Sequence, residues 1–158
     1  MMTNDIKASE VSLAGIHHLK IPVTNLQTSL KWYEEILGAK RCAEFDHFDR
    51  EGNLFAYIVT IPGIDTYFEL RLAPKIAERM KGFDPTILSV GTLEELELWE
   101  QHLNQHGVAN SSVLRGIVGW LLVCHDPDGL AIRFYTLETH EFDAAGSDMD
   151  SPWVVYPE

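Results

Sequence analysis

Positive charge is scarce in this chain. Twelve Lys and Arg stand against 24 Asp and Glu, a net charge of −12 with neutral histidines. That balance repels nucleic acid and anionic membrane surfaces, so neither is expected as a general partner. Cysteine is scarcer still. Cys42 and Cys124 are the only two, and they lack the spacing of a metal or redox motif. With no secretory h-region in Met1 to Glu10, the two thiols read as reduced and structural and the chain as cytoplasmic. Long apolar runs are also missing: none approaches the roughly 20 residues of a membrane span. What remains is an apolar content of 46% in 158 residues, which suits one soluble globular domain with a real core.

What the chain does contain is a repeat. One constant offset pairs Val23 with Val90, Leu26 with Leu93, Trp32 with Trp99 and Ile36 with Leu103. The same offset pairs His18 with Pro85. A duplicated module normally builds one site between its halves. Here one half offers a histidine where the other has no polar side chain.

Periodicity gives the elements. Leu19, Ile21 and Val23 alternate with His18 and Lys20, the signature of a half-buried strand. Thr24 and Asn25 supply capping chemistry, Leu26, Leu30, Tyr33 and Leu37 follow at helical spacing, and Gly38 stops the helix. Strands are expected over Lys40 to Asp46, Leu54 to Ile61 and Thr66 to Leu72, with turns between them. The second half repeats the order: a strand over Thr86 to Val90, a helix from Leu93 to His106, then strands around Ser111 to Leu114, Gly119 to Cys124 and Leu130 to Thr136. Asp126-Pro-Asp-Gly129 is a strong turn signal. The expected fold is therefore α+β: two tandem βαβββ modules forming a curved mixed sheet around a cleft, with helices on the outer face. The division runs leader 1–13, module one 14–74, linker 75–83, module two 84–138 and tail 139–158. The tail is acidic, then aromatic, and suits a clamp onto the body or onto a partner subunit.

Three stretches carry a resemblance. They are Ile16 to Leu26 running into Ser29-Leu-Lys-Trp-Tyr-Glu-Glu-Ile-Leu-Gly38; Val90-Gly-Thr-Leu-Glu-Glu-Leu96 running to His106-Gly107; and Asp126-Pro-Asp-Gly-Leu-Ala-Ile-Arg-Phe134. Together they resemble the vicinal oxygen chelate superfamily, which includes glyoxalase I, extradiol dioxygenases, fosfomycin-resistance enzymes, methylmalonyl-CoA epimerase and bleomycin-resistance proteins. The resemblance implies a homodimer and a cleft formed within one chain or between two. It also implies a metal site whose ligands come from the first and last strand of each module. Carried over, those positions are His18, Pro85, Glu69 and Arg133.

Strand parity reaches a similar set independently. It puts His18, Lys20, Tyr67, Glu69, Arg71, Ile87, Ser89, Arg133 and Tyr135 on the cleft face. The chemistry of these residues departs from the family. Pro85 has no side-chain ligand, and Arg133 is a permanent cation with no lone pair. His18 and Glu69 alone make an incomplete divalent-metal site. The expected cofactor is therefore none, with a divalent metal held by His18 and Glu69 as the alternative. Glu69 and Arg133 hold equivalent positions and are expected to approach each other across the cleft, as a structural pair or as a ligand site.

The candidate catalytic residues are His18, Glu69 and Arg133, with Lys20, Tyr67, Arg71, Ser89 and Tyr135 as ligand contacts. His17 reads as structural, Trp32 and Trp99 as packing, and His102 and His106 as a solvated helix face. Cys124 lacks a basic helper that would make it a nucleophile. Three readings stand open. One is a metal-free protein that sequesters a small organic molecule. Another is a metal-free isomerase, epimerase, cyclase or lyase, with His18 or Glu69 moving a proton and Arg133 steadying an oxyanion. The last is a metal-dependent lyase or dioxygenase.

Overall fold

A computed structural model describes residues 6–156; the first five residues of the leader and the last two of the tail lie outside the described residues. The repeat is realised in two sheets of matching strand order, the first with one extra strand. Strands β1 (His18–Val23), β2 (Lys40–Arg41), β3 (His47–Phe48), β4 (Leu54–Ile61) and β5 (Ile64–Leu72) form the first sheet, in the order β1-β5-β4-β2 with β3 also on β4. The second sheet holds β6 (Ile87–Val90), β7 (Leu114–Arg115), β8 (Trp120–His125) and β9 (Ala131–Thr136), in the matching order β6-β9-β8-β7. In each, the first strand runs parallel to the last, and the last is antiparallel to the one before it. Lys20 lies opposite Glu69 as Ile87 lies opposite Arg133. The α+β, two-module architecture is as expected, with the strands divided between two mixed sheets.

Helices α1 (Leu26–Leu37) and α3 (Leu93–Gln105) begin where their capping residues dictate. Asn25 accepts from the Thr28 amide, and Thr92 with Glu95 forms a reciprocal capping box. Gly38 ends α1 in the left-handed region, at φ 68°, where a side chain would be strained. Between the modules the linker forms a short helix, α2 (Pro74–Arg79). Two expected strands are much shorter than their apolar patterns suggest. After Arg41 the chain turns through a 3-10 segment, Ala43–Phe45, and in module two only Leu114–Arg115 pairs, preceded by a single bridge from Asn110 to Cys124.

Both sheets turn their apolar faces into one core. Ile21, Val23, Phe68 and Leu70 of the first sheet share a cluster with Leu122, Cys124, Ile132 and Phe134 of the second and with Tyr33, Leu96 and Leu103 of the helices. Trp99 stacks on Phe134 at 4.7 Å and Trp32 meets Tyr33 edge-on, so both tryptophans are packing residues. His102 is not solvated as expected. It is half-buried, with Nε2 2.9 Å from the Ile36 carbonyl at the end of α1.

The Asp126-Pro-Asp-Gly129 turn is more than a reversal: it ties module two to module one. Asp128 accepts from the Thr24 amide at 3.0 Å and from its hydroxyl at 2.5 Å. Asp126 accepts from the Tyr33 hydroxyl at 3.0 Å and from the amides of Asp128 and Leu130. Both carboxylates are buried. Burial pushes Asp126 up to about 6, against the pull of its three donors, and with Asp126 beside it buried Tyr33 is held well above the ordinary phenol value.

An acid with a raised folded-state value binds its proton more tightly folded than unfolded. The Asp126 contribution is therefore most favourable below the ordinary carboxyl range, about 4, and is lost as pH rises through about 6. Asp126→Asn should flatten that component of the urea midpoint between about pH 4 and 6.5, measured as the difference from wild type. Tyr33→Phe should destabilise the fold by about 1–2 kcal/mol by stranding a buried acceptor, read from urea melts at neutral pH.

Candidate functional site

Glu69 lies on β5, flanked by β1 and β4, with Lys20 opposite on one side and Ile58 on the other. A side chain at the middle of a sheet cannot swing clear to water, and Glu69 is only 2% exposed. Burying a carboxylate is costly unless charge and hydrogen bonds compensate it. Three basic side chains on the same face do so. Arg71 Nη1 donates to Oε1 at 3.1 Å, while His18 Nε2 and Lys20 Nζ stand 3.2 and 3.6 Å from Oε2. All three are partly exposed, so each ion pair is screened on its outer side.

Aromatic side chains border this cluster. Tyr67 meets Phe45 edge-on at 6.1 Å, and both are exposed; the Arg71 guanidinium lies 4.3 Å over the Phe55 ring. His17 lies against this cluster: its Nδ1 is 2.9 Å from Nδ1 of His18. Which of the two Nδ1 atoms donates in this contact follows from the ring tautomers. His17, His18 and Glu69 thus form a continuous line of contacts from the exposed surface to a buried carboxylate.

The second sheet repeats the geometry but not the chemistry, and the expected Glu69–Arg133 approach is not made. Each sheet presents its polar face away from the core that both share, so the two residues lie on different faces. Arg133 Nε stands 2.6 Å from Oδ2 of buried Asp84, a charge contact in which neither atom makes an aligned hydrogen bond. The guanidinium also lies 5.9 Å from the Tyr156 ring. Tyr135 is packed on the Gly116–Gly119 loop, where a Cβ on Gly116 would collide with its hydroxyl. Ser89 lines a groove between the modules, beside Trp99 and Leu37, of about 400 Å³. Thus His18, Lys20, Tyr67, Glu69 and Arg71 come together, while Arg133, Tyr135 and Ser89 stand apart. Asp84 was missed because it lies just outside the strands whose parity was read. The signal that could have found it is the unmatched cation Arg133, which needs a nearby anion.

Within one chain these donors do not fit a tightly held divalent ion. His18 and Glu69 offer lone pairs, but Lys20 and Arg71 already occupy the carboxylate and would repel the ion. Among the described residues no group of three or more His, Cys, Asp or Glu side chains could hold a metal. None of the described helices is long and apolar enough to cross a membrane.

The geometry defines a duplicated βαβββ protein with one open polar sheet face and one covered face. The chain belongs to the Glyoxalase/Bleomycin resistance protein/Dioxygenase superfamily, whose model matches residues 15–134. No curated protein matches it. Solved structures with the same fold include a glyoxylase/bleomycin resistance protein/dioxygenase domain from Frankia sp. EAN1pec, with 25% identity over 79% of this chain and 98% of that one and a TM-score of 0.61. Another is TnmS3, an antibiotic binding protein from Streptomyces sp. CB03234, with 20% identity, 80% and 98% coverage and a TM-score of 0.63. The fosfomycin resistance protein FosX from Listeria monocytogenes, in its complex with Mn(II) and sulfate, gives 13% identity, 80% and 95% coverage and a TM-score of 0.62.

Cys124 is buried on β8, and burial together with nearby Asp126 pushes its thiol up to about 12. In the native protein, iodoacetamide should therefore label half-buried Cys42 in preference to Cys124. Cys124 should react only after denaturation, as read by peptide mass spectrometry.

Proposed function

We propose that this protein binds a small organic molecule on the polar face of the first sheet, without a resident metal. The observation that carries the reading is the buried Glu69 carboxylate with three basic side chains gathered on it beside the exposed rings of Tyr67 and Phe45. Such a face combines flat apolar contact with charge-assisted donors, the two things that orient a small ligand. The likeness to an antibiotic binding protein supports a binding role. Two free cysteines accord with a cytoplasmic setting.

Among the described residues of one chain, this face has a floor and no roof. A homodimer, in which a second copy covers it, fits that geometry. Sedimentation equilibrium should give twice the chain mass; a monomer at all concentrations would remove the dimer.

Acid–base catalysis is a second reading, favoured by the His17–His18–Glu69 chain. Its protons could move between a ligand and the buried carboxylate through His18. If turnover of a substrate is found, Glu69→Gln and His18→Ala should abolish it while sparing binding; unchanged turnover in both removes the mechanism.

Binding is tested by NMR with 2-naphthoate, a planar aromatic anion, as probe. Shifts should centre on His18, Tyr67 and Arg71 and weaken at least tenfold in Arg71→Met. Shifts centred on Trp99 and Phe134 would place the ligand in the inter-module groove and overturn the reading. Metal analysis of protein purified without chelator should find far less than one Zn, Ni, Mn or Fe per chain. Stoichiometric metal would support a metal-dependent lyase or dioxygenase instead.

A further inference from the structure

The face of the second sheet that corresponds to the candidate ligand face is taken up by the chain's own C-terminal segment. Arg133 stands where Glu69 stands in the first sheet, and Tyr135 where Arg71 stands, by the matched strand registers. Over them runs the segment from residue 138 to residue 156. It is laced to the β7–β8 region by His140 N–H to the Val118 carbonyl, Asp143 N–H to Ile117 and Asp148 N–H to Arg115, at 2.8–2.9 Å, with Asp148 Oδ2 accepting the Arg115 amide at 2.7 Å. Trp153 and Val154 pack on Leu114, Leu121, Val123 and Ala131, and Trp153 stacks on His125 at 5.4 Å.

Midway along, Asp143 Oδ2 meets Arg115 Nε of β7 at 3.4 Å; the end is fastened at a further charged point. Tyr156 donates its hydroxyl to Asp84 Oδ1 at 2.5 Å while Asp84 Oδ2 meets Arg133, and the Tyr156 ring tilts against Phe83. Beneath the segment, between it and Arg133, Tyr135 and Leu121, a cavity of about 200 Å³ remains.

Two features distinguish this segment from ordinary core. It contains no helix or strand, so few backbone bonds hold a long stretch of chain. It also leaves Phe142, Met149, Val155 and the outer side of Tyr156 exposed. Segments held by few backbone bonds open at lower free energy than the sheets beneath them.

We propose that residues 138–156 are a latched cover, with Asp84, Arg133 and Tyr156 as the catch. Closed, the cover fills the second-sheet face with Trp153 and Val154 and engages Arg133 internally. Open, it exposes an apolar face carrying a free guanidinium, a second site for a flat organic anion. Arg133 is then a positioning residue for the cover and meets a ligand only when the catch is released. The proposal concerns the second sheet alone and does not depend on what the first sheet binds.

Native-state hydrogen exchange on the full chain tests the opening. The amides of Asp143, Asp148 and Val154 should exchange together at least 100-fold faster than those of Val123 and Arg133 on the sheet below. Equal protection in both sets would mean that the segment is part of the global core and would overturn the proposal. The catch is tested with Tyr156→Phe and Trp153→Ala in the full chain, using 8-anilinonaphthalene-1-sulfonate as probe. Tyr156→Phe should speed exchange of the cover several-fold without changing that of β8, and Trp153→Ala should add one probe site per chain. An unchanged exchange pattern together with unchanged stoichiometry would sink it. Should Trp153→Ala unfold, the wild-type exchange comparison still decides.

Discussion

Both sheets of this protein bury their apolar faces in one common core, and the rest of the structure depends on that burial. Strand alternation leaves each sheet only two faces. Once Leu19, Ile21, Phe68 and Leu70 join Leu122, Ile132 and Phe134 inside, every intervening side chain must point away from the core. The polar residues of the two modules are thereby sent to separate faces. Each face then has to satisfy its own charges, and the two modules do so differently. The first gathers Lys20, Arg71 and His18 from its own strands around Glu69; the second pairs Arg133 with Asp84 and closes the face with chain from beyond the repeat.

Duplication and divergence are therefore distinguishable in physical terms. What the halves share is backbone: the same strand order, the same parallel first-to-last pairing, the same register at the central positions. What they do not share is the charge at the middle of the last strand, negative in one and positive in the other. A central-strand side chain is enclosed by its neighbours, so a change of sign there has to be answered locally. Asp84 and Tyr156 answer it in module two. The buried aspartates of the β8–β9 turn have a different task, joining that turn to Thr24 and Tyr33 and so tying module two to module one.

Much of this was legible beforehand because the signals are local. Asn25, Gly38 and Thr92 mark helix ends through hydrogen bonds made within a few residues. The parity of His18, Lys20, Tyr67, Glu69 and Arg71 follows from a period of two that no tertiary context alters. Where the reading failed, the deciding contact was distant. Lys40 to Asp46 has strand-like composition, yet only Lys40–Arg41 and the Cys42 amide reach β4 before the chain turns away. His102 sits on a helix that looks solvated in sequence, but α1 ends against it. Alternation would put His17 on the face opposite His18, but it precedes β1, where alternation no longer constrains it, and its ring meets that of His18.

The sequence by itself determined the repeat, the α+β class, the capped helices and which side chains of each strand share a face. It did so because propensity, capping and alternation act over a few residues. Only the tertiary structure decided which faces meet and which do not. It separated Arg133 from Glu69, gave Arg133 to Asp84, and laid the tail over the second sheet. Those outcomes turn on how two sheets share one core and on contacts between residues as far apart as Asp84 and Tyr156, and no local pattern in the chain encodes them.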